Sequence, residues 1–492
     1  MANLCAAALP DLPSAVGRPA YDLRAVGIGI VHLGLGAFHR AHQAVFTDSV
    51  LATDRRWGIL GVSMKTPRAT AALAAQDGLY SVIERSQEGV SLRVIGAVRE
   101  TLFAAGDPAA LVRRLADPAV HVVTLTVTEK GYCHDPASGA LDFAHPDIVH
   151  DLAHPDAPRS AVGFIVAGLA ARRASGAGPL NVVCCDNLPH NGRTLEGLTR
   201  AFAQHRDPAL AVWIDANAAF PCTMVDRIVP ATTEADVAEA ARRLGVADQA
   251  PVVAEPYNSW VIEDRFVAPR PAWAQAGAQM TADAQPFETM KLRMLNGSHS
   301  TMAYLGYLMG HAYIWQASAD PLLADLVERQ MAEEIAPTLV APPGVDLSAY
   351  GRQLMERFRN PALPHRTKQI AMDGSQKLPQ RLLGTVRDCL AAGRPITRLA
   401  LAVAAWMRYV GGRDESGRTI EVADPLASTF ASIADAHRGD PAAHARALLG
   451  VTAVFGDDLP QDPRFTRPVT AWLESLHAHG AARTVRDCNA RP

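Results

Sequence analysis

The stretch Ile28-Gly29-Ile30-Val31-His32-Leu33-Gly34-Leu35-Gly36-Ala37-Phe38-His39-Arg40 decides how the first half of this chain folds. A short run rich in Ile and Val enters a pair of glycines, and a helix-forming segment follows. Such a run, 28–33, reads as a strand buried on both faces. The glycines let the backbone turn tightly, and the next helix would aim its free N–H groups at a phosphate. Gly34 and Gly36 match the first two glycines of the dinucleotide pattern G-x-G-x-x-G, and His39 stands where the third would be. A tight turn that holds no ligand would read the same way locally, so the surrounding pattern has to choose between them.

Working outward, further strand candidates lie at 58–64, 122–128 and 181–185, each short, apolar and rich in Val or Ile. Ala-, Leu- and Arg-rich helical runs lie between several of them, at 108–115 and 160–171. This βαβ alternation predicts an α/β unit, a Rossmann-like doubly wound parallel sheet, over residues 1–284. Pro-rich sequence around 268–273 closes it. From about Gln285 helical periodicity takes over, at 288–310, 321–334, 347–358, 399–409, 442–449 and 469–477. A mostly α-helical second domain is therefore expected over 285–492, with a loose tail from about Ala481.

Composition narrows the function. With 492 residues and a net charge of −3, the chain has no electrostatic reason to bind nucleic acid. Its apolar run at 399–407 is too short to span a bilayer, and the N-terminus lacks the basic start and apolar core of a signal peptide. Seven scattered cysteines, an odd number, argue against a disulfide framework and for a reducing, cytoplasmic setting. Cys184 and Cys185 are adjacent, so on a strand they would face opposite ways. His150-Asp151-Leu152-Ala153-His154 has the spacing of a helical zinc site. It lies among Pro146, Asp147, Pro155 and Asp156, so it reads as a solvated loop or short helical turn, and no metal is expected.

A second constellation starts the helical half: Glu288-Thr289-Met290-Lys291-Leu292-Arg293-Met294-Leu295-Asn296-Gly297-Ser298-His299. On an α-helix Glu288, Lys291, Leu295 and His299 share one face, with Asn296 adjacent to it. Oxidising an alcohol needs a base for the hydroxyl proton and donors for the developing oxyanion. A lysine whose charge is disfavoured can be the base, and an amide can donate. An ordinary amphipathic helix with a Glu288–Lys291 surface pair would give the same spacing. Against it stands Asn296-Gly297, a poor mid-helix pair costing on the order of 1 kcal/mol relative to Ala. The end of the second strand carries Lys65 and Arg68 and no acid, so these residues leave NAD and NADP both open.

Several motifs in order resemble one family. Gly34 to His42, read G-L-G-A-F-H-R-A-H, resembles the cofactor turn of the polyol-specific long-chain dehydrogenases. Thr126-Val127-Thr128-Glu129-Lys130-Gly131-Tyr132 is similar to its T-x-T-E-x-G-Y, and Cys185-Asp186-Asn187 with Asn191-Gly192 to its C-D-N-x-x-x-N-G. Phe220-Pro221 through Met224-Val225-Asp226-Arg227-Ile228 resembles F-P-x-x-M-V-D-R-I, and Lys291, Asn296 and His299 fit K-x-x-x-x-N-x-x-H. The resemblance implies a metal-independent NAD enzyme, a Rossmann domain followed by a helical one, and a monomer. It implies a cofactor held by Gly34, Gly36, Ala37, Phe38, His39, Arg40, Thr128 and Glu129. It implies Lys291 as acid/base, Asn187 and Asn296 on the reacting oxygen, His299 positioning substrate, and Asp226 and Glu288 lining the site. Taken alone, Asn187 and Asp226 read as strand-end caps and Glu288 as a solvated carboxylate.

Residues 365–381, H-R-T-K-Q-I-A-M-D-G-S-Q-K-L-P-Q-R, discriminate among substrates. They look most like the fructuronate reductase branch, in which Gln369 replaces the Arg of mannitol enzymes. Arg366, Lys368, Lys377 and Arg381 make the block basic, and a hexuronate carboxylate suits such cations. Arg366 and Lys377 are the expected substrate ligands, with fructuronate/mannonate favoured over a neutral polyol such as mannitol. A non-catalytic nucleotide-binding protein on the same fold is the rival class; an intact Lys-Asn-His set argues against it. A chelator is expected to leave NADH-dependent turnover intact; loss on EDTA treatment that zinc restores would contradict the metal-free reading.

Overall fold

The computed structural model describes residues 1–135 and 138–491. The chain forms two compact units, Met1–Glu288 and Thr289–Pro492. At the centre of the first lies a six-stranded sheet: β1 Ile28–Leu33, β2 Gly58–Ser63, β3 Val98–Phe103, β4 Val122–Leu125, β5 Leu180–Cys184 and β6 Ala218–Ala219. Every pairing is parallel and the order is β3-β2-β1-β4-β5-β6. This is the doubly wound order in which a dinucleotide binds beyond the carboxyl ends of the central strands. Strands β1, β2, β4 and β5 are buried almost throughout, which explains why their sequences are continuous apolar runs and not alternating ones.

Two helices of this unit lie close to where the sequence put them. Asp107 caps Pro108–Leu115 by accepting from the Ala110 N–H, and Ser160 caps Ala161–Ser175 through Gly163. Gly176, at φ +68°, ends the latter in the left-handed conformation that suits glycine. Leu111, Leu115, Phe164, Ile165 and Leu169 pack on one face of the sheet with Val123, Leu125 and Val182.

Three expectations for this unit change. Strand β4 stops at Leu125, not Thr128, because the backbone N–H groups of Val127 and Thr128 turn to Asp186. Two smaller sheets add strands that lack a long unbroken apolar run: Tyr80–Ser86 with Gly89–Ile95 and Val252–Ala254, and Ser259–Glu263 with Thr223–Asp226 and Gln279–Thr281. The stretch read as a solvated loop or short helical turn is helical over Pro146–Ala153, and it is not all solvated. Its Asp151 is buried and accepts from the Arg159 and Ser160 N–H groups and the Ser160 hydroxyl.

The second unit is helical, and among its described residues no named strand occurs. At its centre runs Thr397–Val410, in which Leu399 through Met407 are fully buried. A helix apolar on every side must be surrounded, and Pro463–His479, Ser298–Leu308 and Ala427–Ala436 supply that cover. Among the described residues no helix is long and apolar enough to cross a membrane. The tail expected to be loose is the helix Ala481–Asn489, with Ala481, Thr484, Val485 and Cys488 buried. Charged Arg483, Arg486 and Asp487 on its outer face obscured that stripe. Asn489 also donates to the Leu322 carbonyl at 2.9 Å.

Truncation after Gly480 is therefore predicted to destabilise the chain. Losing a buried stripe of this size costs about 3 kcal/mol at roughly 0.8 kcal/mol per buried methylene. At about 2–4 °C per kcal/mol for a unit of this size, thermal unfolding should fall by roughly 6–12 °C. An unchanged melting temperature would mean that the helix contributes no packing.

Candidate active site

The turn after β1 is shaped by a close approach. Gly34 sits at φ +98°, and a Cβ there would lie 2.1 Å from the Thr126 carbonyl oxygen, so only glycine fits. The Thr126 hydroxyl donates to the Gly34 carbonyl at 2.9 Å, tying the ends of β1 and β4 together. Gly36 is different. A Cβ there would meet nothing nearer than Gly34 O at 3.7 Å, so open space lies in front of the free N–H groups that begin Ala37–Ala41. That opening, at the carboxyl end of the central strand, fits a pyrophosphate.

The side chains of His39 and Arg40 are not available to a cofactor, which corrects the expectation for both. His39 is fully buried, its ring stacked on His32 of β1 with centroids 3.3 Å apart. Burial and the neighbouring His32, Arg40 and His42 hold it well below the usual imidazole range. Arg40 turns inward, its guanidinium over the Tyr80 ring and bonded to the carbonyls of Gly36 and Ala250. Both brace the turn from behind, while Ala37 and Phe38 are half-buried. Lys65 and Arg68, beyond β2, are exposed.

Past β4 and β5 two loops are tied by Asp186, which sequence reasoning left without a role. Its carboxylate accepts from Val127 N at 2.8 Å, Thr128 N at 3.2 Å and Tyr132 Oη at 2.7 Å. Thr128 is held at φ +67°, a conformation unusual for a β-branched residue, and Glu129 next to it is exposed. Asn191 fixes the other side, its amide nitrogen bonding Asp186 O and Thr223 and its amide oxygen accepting from Gly192 N and Thr223 N. Between these anchors Asn187 is exposed. Glu288 accepts from the His190 N–H at 3.1 Å and so steadies the same loop, which replaces the solvated reading for that carboxylate. Asp226 ends its strand 4% exposed.

In the helical unit the expected α-helix over 288–310 is broken. Gln285–Met290 is α, Lys291–Gly297 is a π-helix, and Ser298–Leu308 is α again. With hydrogen bonds running five residues back and not four, a residue five along returns over its starting side. Asn296 thus comes round toward the face of Lys291, which α-geometry would have denied it. At Gly297 a Cβ would lie 2.8 Å from the Arg381 carbonyl oxygen, so a side chain there would push the two segments apart. Lys291, Asn296 and His299 are all buried, between 6% and 7% exposed. His299 Nε2 is buried without a partner among the described residues, and an unpaired buried polar atom is costly unless something binds it. Burial, with the charges of His365, Arg381, Arg357 and Lys291, holds His299 well below the usual imidazole range, so its ring is neutral.

The basic block divides. Arg366 is exposed and lies over the Tyr313 ring at 5.3 Å, and Lys368 pairs with Glu421 at 2.7 Å. His365 does come close, its ring 5.2 Å from that of His299, and burial with the charge of Lys377 lowers it to about 4. Arg381 donates to Ser300 Oγ at 3.2 Å, beside His299. The residues that gather are therefore Lys291, Asn296, His299, His365, Lys377 and Arg381. Seventeen-residue spacing within 365–381 gave no hint of which cations would converge.

His150 and His154 stack with centroids 4.5 Å apart, and His150 bonds Asp151 at 3.1 Å. One other trio among the described residues has metal-type ligand atoms within 4.8 Å: Cys133, His145 and Asp147. There the Asp147 N–H already donates to His145 Nδ1, and burial with nearby carboxylates pushes the Cys133 thiol up to about 12.

These motifs recur in known proteins. Residues 28–275 match the mannitol dehydrogenase Rossmann domain, and residues 283–477 the mannitol dehydrogenase C-terminal domain. This chain belongs to the mannitol dehydrogenase family. It is 48% identical to D-mannonate oxidoreductase of Escherichia coli over 96% of this chain and 97% of that one. It is 39% identical to mannitol 2-dehydrogenase of Pyricularia oryzae over 95% and 94%. Among solved structures, mannitol 2-dehydrogenase of Pseudomonas fluorescens in complex with NAD and D-mannitol superposes with a TM-score of 0.92 at 38% identity, covering all of both chains. The mannitol dehydrogenase architecture thus extends through the final helix, past the C-terminal family domain.

Asp186 yields a pH prediction. Burial raises it from 3.8 to about 6 despite its three donors. Between those values the folded chain keeps a proton that the unfolded chain has lost, so this carboxyl's stabilisation is complete below about pH 4 and fades as pH rises through 6. One unit of displacement is about 1.4 kcal/mol. Asp186→Asn removes the titration. Its stability relative to wild type should improve by roughly 2–3 kcal/mol between pH 4.5 and 7 in urea melts; a constant difference would show an ordinary carboxyl.

Proposed function

We propose that this chain is an NAD-dependent oxidoreductase that interconverts D-mannonate and D-fructuronate without a metal. The observation that carries the reading is the gathering of Lys291, Asn296 and neutral His299 beside two cations, Lys377 and Arg381. NAD, held at Gly34, Gly36, Ala37 and Phe38 with Thr128 and Glu129, supplies the hydride acceptor when bound. The open front of Gly36 supports that placement.

Lys291 takes the proton of the substrate hydroxyl during oxidation and returns it during reduction. Asn296 donates its amide N–H to the oxygen as negative charge grows there, and Asn187 is a second amide donor. His299 bonds a neighbouring hydroxyl through the Nε2 that is otherwise unpartnered. Arg381 and Lys377 hold the carboxylate by charge-assisted bonds, with Arg381 taking the role expected of Arg366. Glu288 holds the Asn187 loop, and Asp226 lines the substrate side. The protein acts as a monomer. Mannitol or another neutral polyol is the second reading, favoured by the 38% identical mannitol 2-dehydrogenase structure.

Two measurements test this. Lys291→Ala should lower kcat by about 10²–10⁴-fold and remove an ionisation from the pH profile of oxidation, with NADH binding retained. Retention of both turnover and that ionisation would assign the base elsewhere. Arg381→Gln should raise KM for fructuronate by about 10-fold or more and leave fructose nearly unaffected. Equal effects on the two, or a wild-type preference for fructose, would favour the neutral polyol.

A further inference from the structure

A cavity of about 750 Å³ opens beside the C-terminal end of the helix Thr397–Val410 and shares no residue with the candidate active site. Its walls come from that helix end, the turn that follows it, and the helices Ala427–Ala436, Pro441–Leu449 and Pro463–His479.

We infer that this cavity is a second binding site, for a small organic molecule bearing an oxyanion. Charge balance is the first reason. Each carboxylate on the wall is already engaged. Asp414 accepts from Ser416 and Arg418, Asp435 pairs with Arg438 at 2.6 Å, and Glu415 accepts from the N–H of Ala481. The two remaining arginines bond only carbonyl oxygens in the structure. Arg408 donates to Arg413 O at 2.5 Å and Asp414 O at 3.3 Å, and Arg413 to Gly417 O at 3.0 Å. Carbonyls do not neutralise a guanidinium, so among the described residues Arg408 and Arg413 have no direct ion pair, although the charges of Glu415 and Asp414 act on Arg408 from further off.

Unmet hydrogen bonding is the second reason, and it is independent of charge. His444 lines the cavity at 5% exposure, and its Nε2 has no partner among the described residues. The Nε of Arg408 is likewise buried and unpartnered. Leaving such atoms unpaired costs about 1–3 kcal/mol each, a deficit that an accepting oxygen removes. His437 and His477 stand on the same wall. Burial, with the neighbouring His437 and Arg408, holds His444 near 4, so it offers a neutral ring N–H without itself demanding a counter-ion. Val410, Ile420 and Val422 give the cavity an apolar side on which a carbon skeleton can rest. Carboxylate and phosphate ester share this chemistry.

The test uses the full-length enzyme saturated with NADH, so that the cofactor turn is already filled. Inorganic phosphate and malonate are titrated separately against sodium chloride of equal ionic strength while thermal unfolding is followed. At least one of them should raise the melting temperature by several degrees with saturation in the millimolar range, and the two arms distinguish phosphate from carboxylate. Arg413→Gln, at an exposed position, should weaken that response at least 10-fold, as should His444→Asn. Lys291→Ala should leave it unchanged. If His444→Asn does not fold, Arg413→Gln decides alone. No response beyond that to sodium chloride, or a response undiminished in Arg413→Gln, overturns the assignment.

Discussion

A carbon atom at position 34 would stand 2.1 Å from the carbonyl oxygen of Thr126, far inside contact distance. Because Gly34 has none, the ends of β1 and β4 close on each other, and the rest of the Rossmann unit's working edge follows. The chain leaves β1 at φ +98°, which sets the direction of the short helix starting at Ala37. The Thr126 hydroxyl locks the contact from one side, and His32, bonded to Thr124 and stacked on His39, packs it from beneath. Where the usual pattern keeps a third glycine for helix–strand packing, this chain places an imidazole pair. The packing surface survives with different atoms.

The same economy appears one strand further along. Asp186 and Asn191 leave almost no hydrogen-bonding capacity unused, and what they hold is backbone: Val127, Thr128, Gly192 and Thr223. The loop between them is therefore rigid at both ends and exposed in the middle, at Asn187.

Much of this was legible in the sequence, for identifiable reasons. Strands buried on both faces leave an unbroken apolar signature, so β1, β2, β4 and β5 were visible within a residue or three. Helix starts were visible at Asp107 and Ser160, where a capping side chain precedes a Pro or an apolar face, but not at Asp207 and Asp462, which cap in the same way. Strands of three to seven residues in the small sheets lack the unbroken apolar run of the central ones, and several of them are only partly buried. The final helix was hidden since four buried small or medium side chains look weak beside its charges. In the site, Lys291, Asn296 and His299 were legible as a motif, whereas their relative placement was not. Gly297, within the π segment, meets the carbonyl of Arg381, a residue more than eighty positions away, and such a contact leaves no local signature in the sequence.

Three segments of the helical unit wind as π-helix, Lys291–Gly297, Gln330–Ile335 and Pro379–Leu383, and the first packs on the other two. A π-turn is an α-helix that has accepted one additional residue without unwinding its neighbours. Substitutions cannot convert one winding into the other by degrees, whereas a single-codon deletion would. Such a deletion ahead of Asn296 would rotate the whole remaining helix by about 100° relative to Lys291. The register between Lys291 and Asn296 is therefore carried by residue count as much as by residue identity.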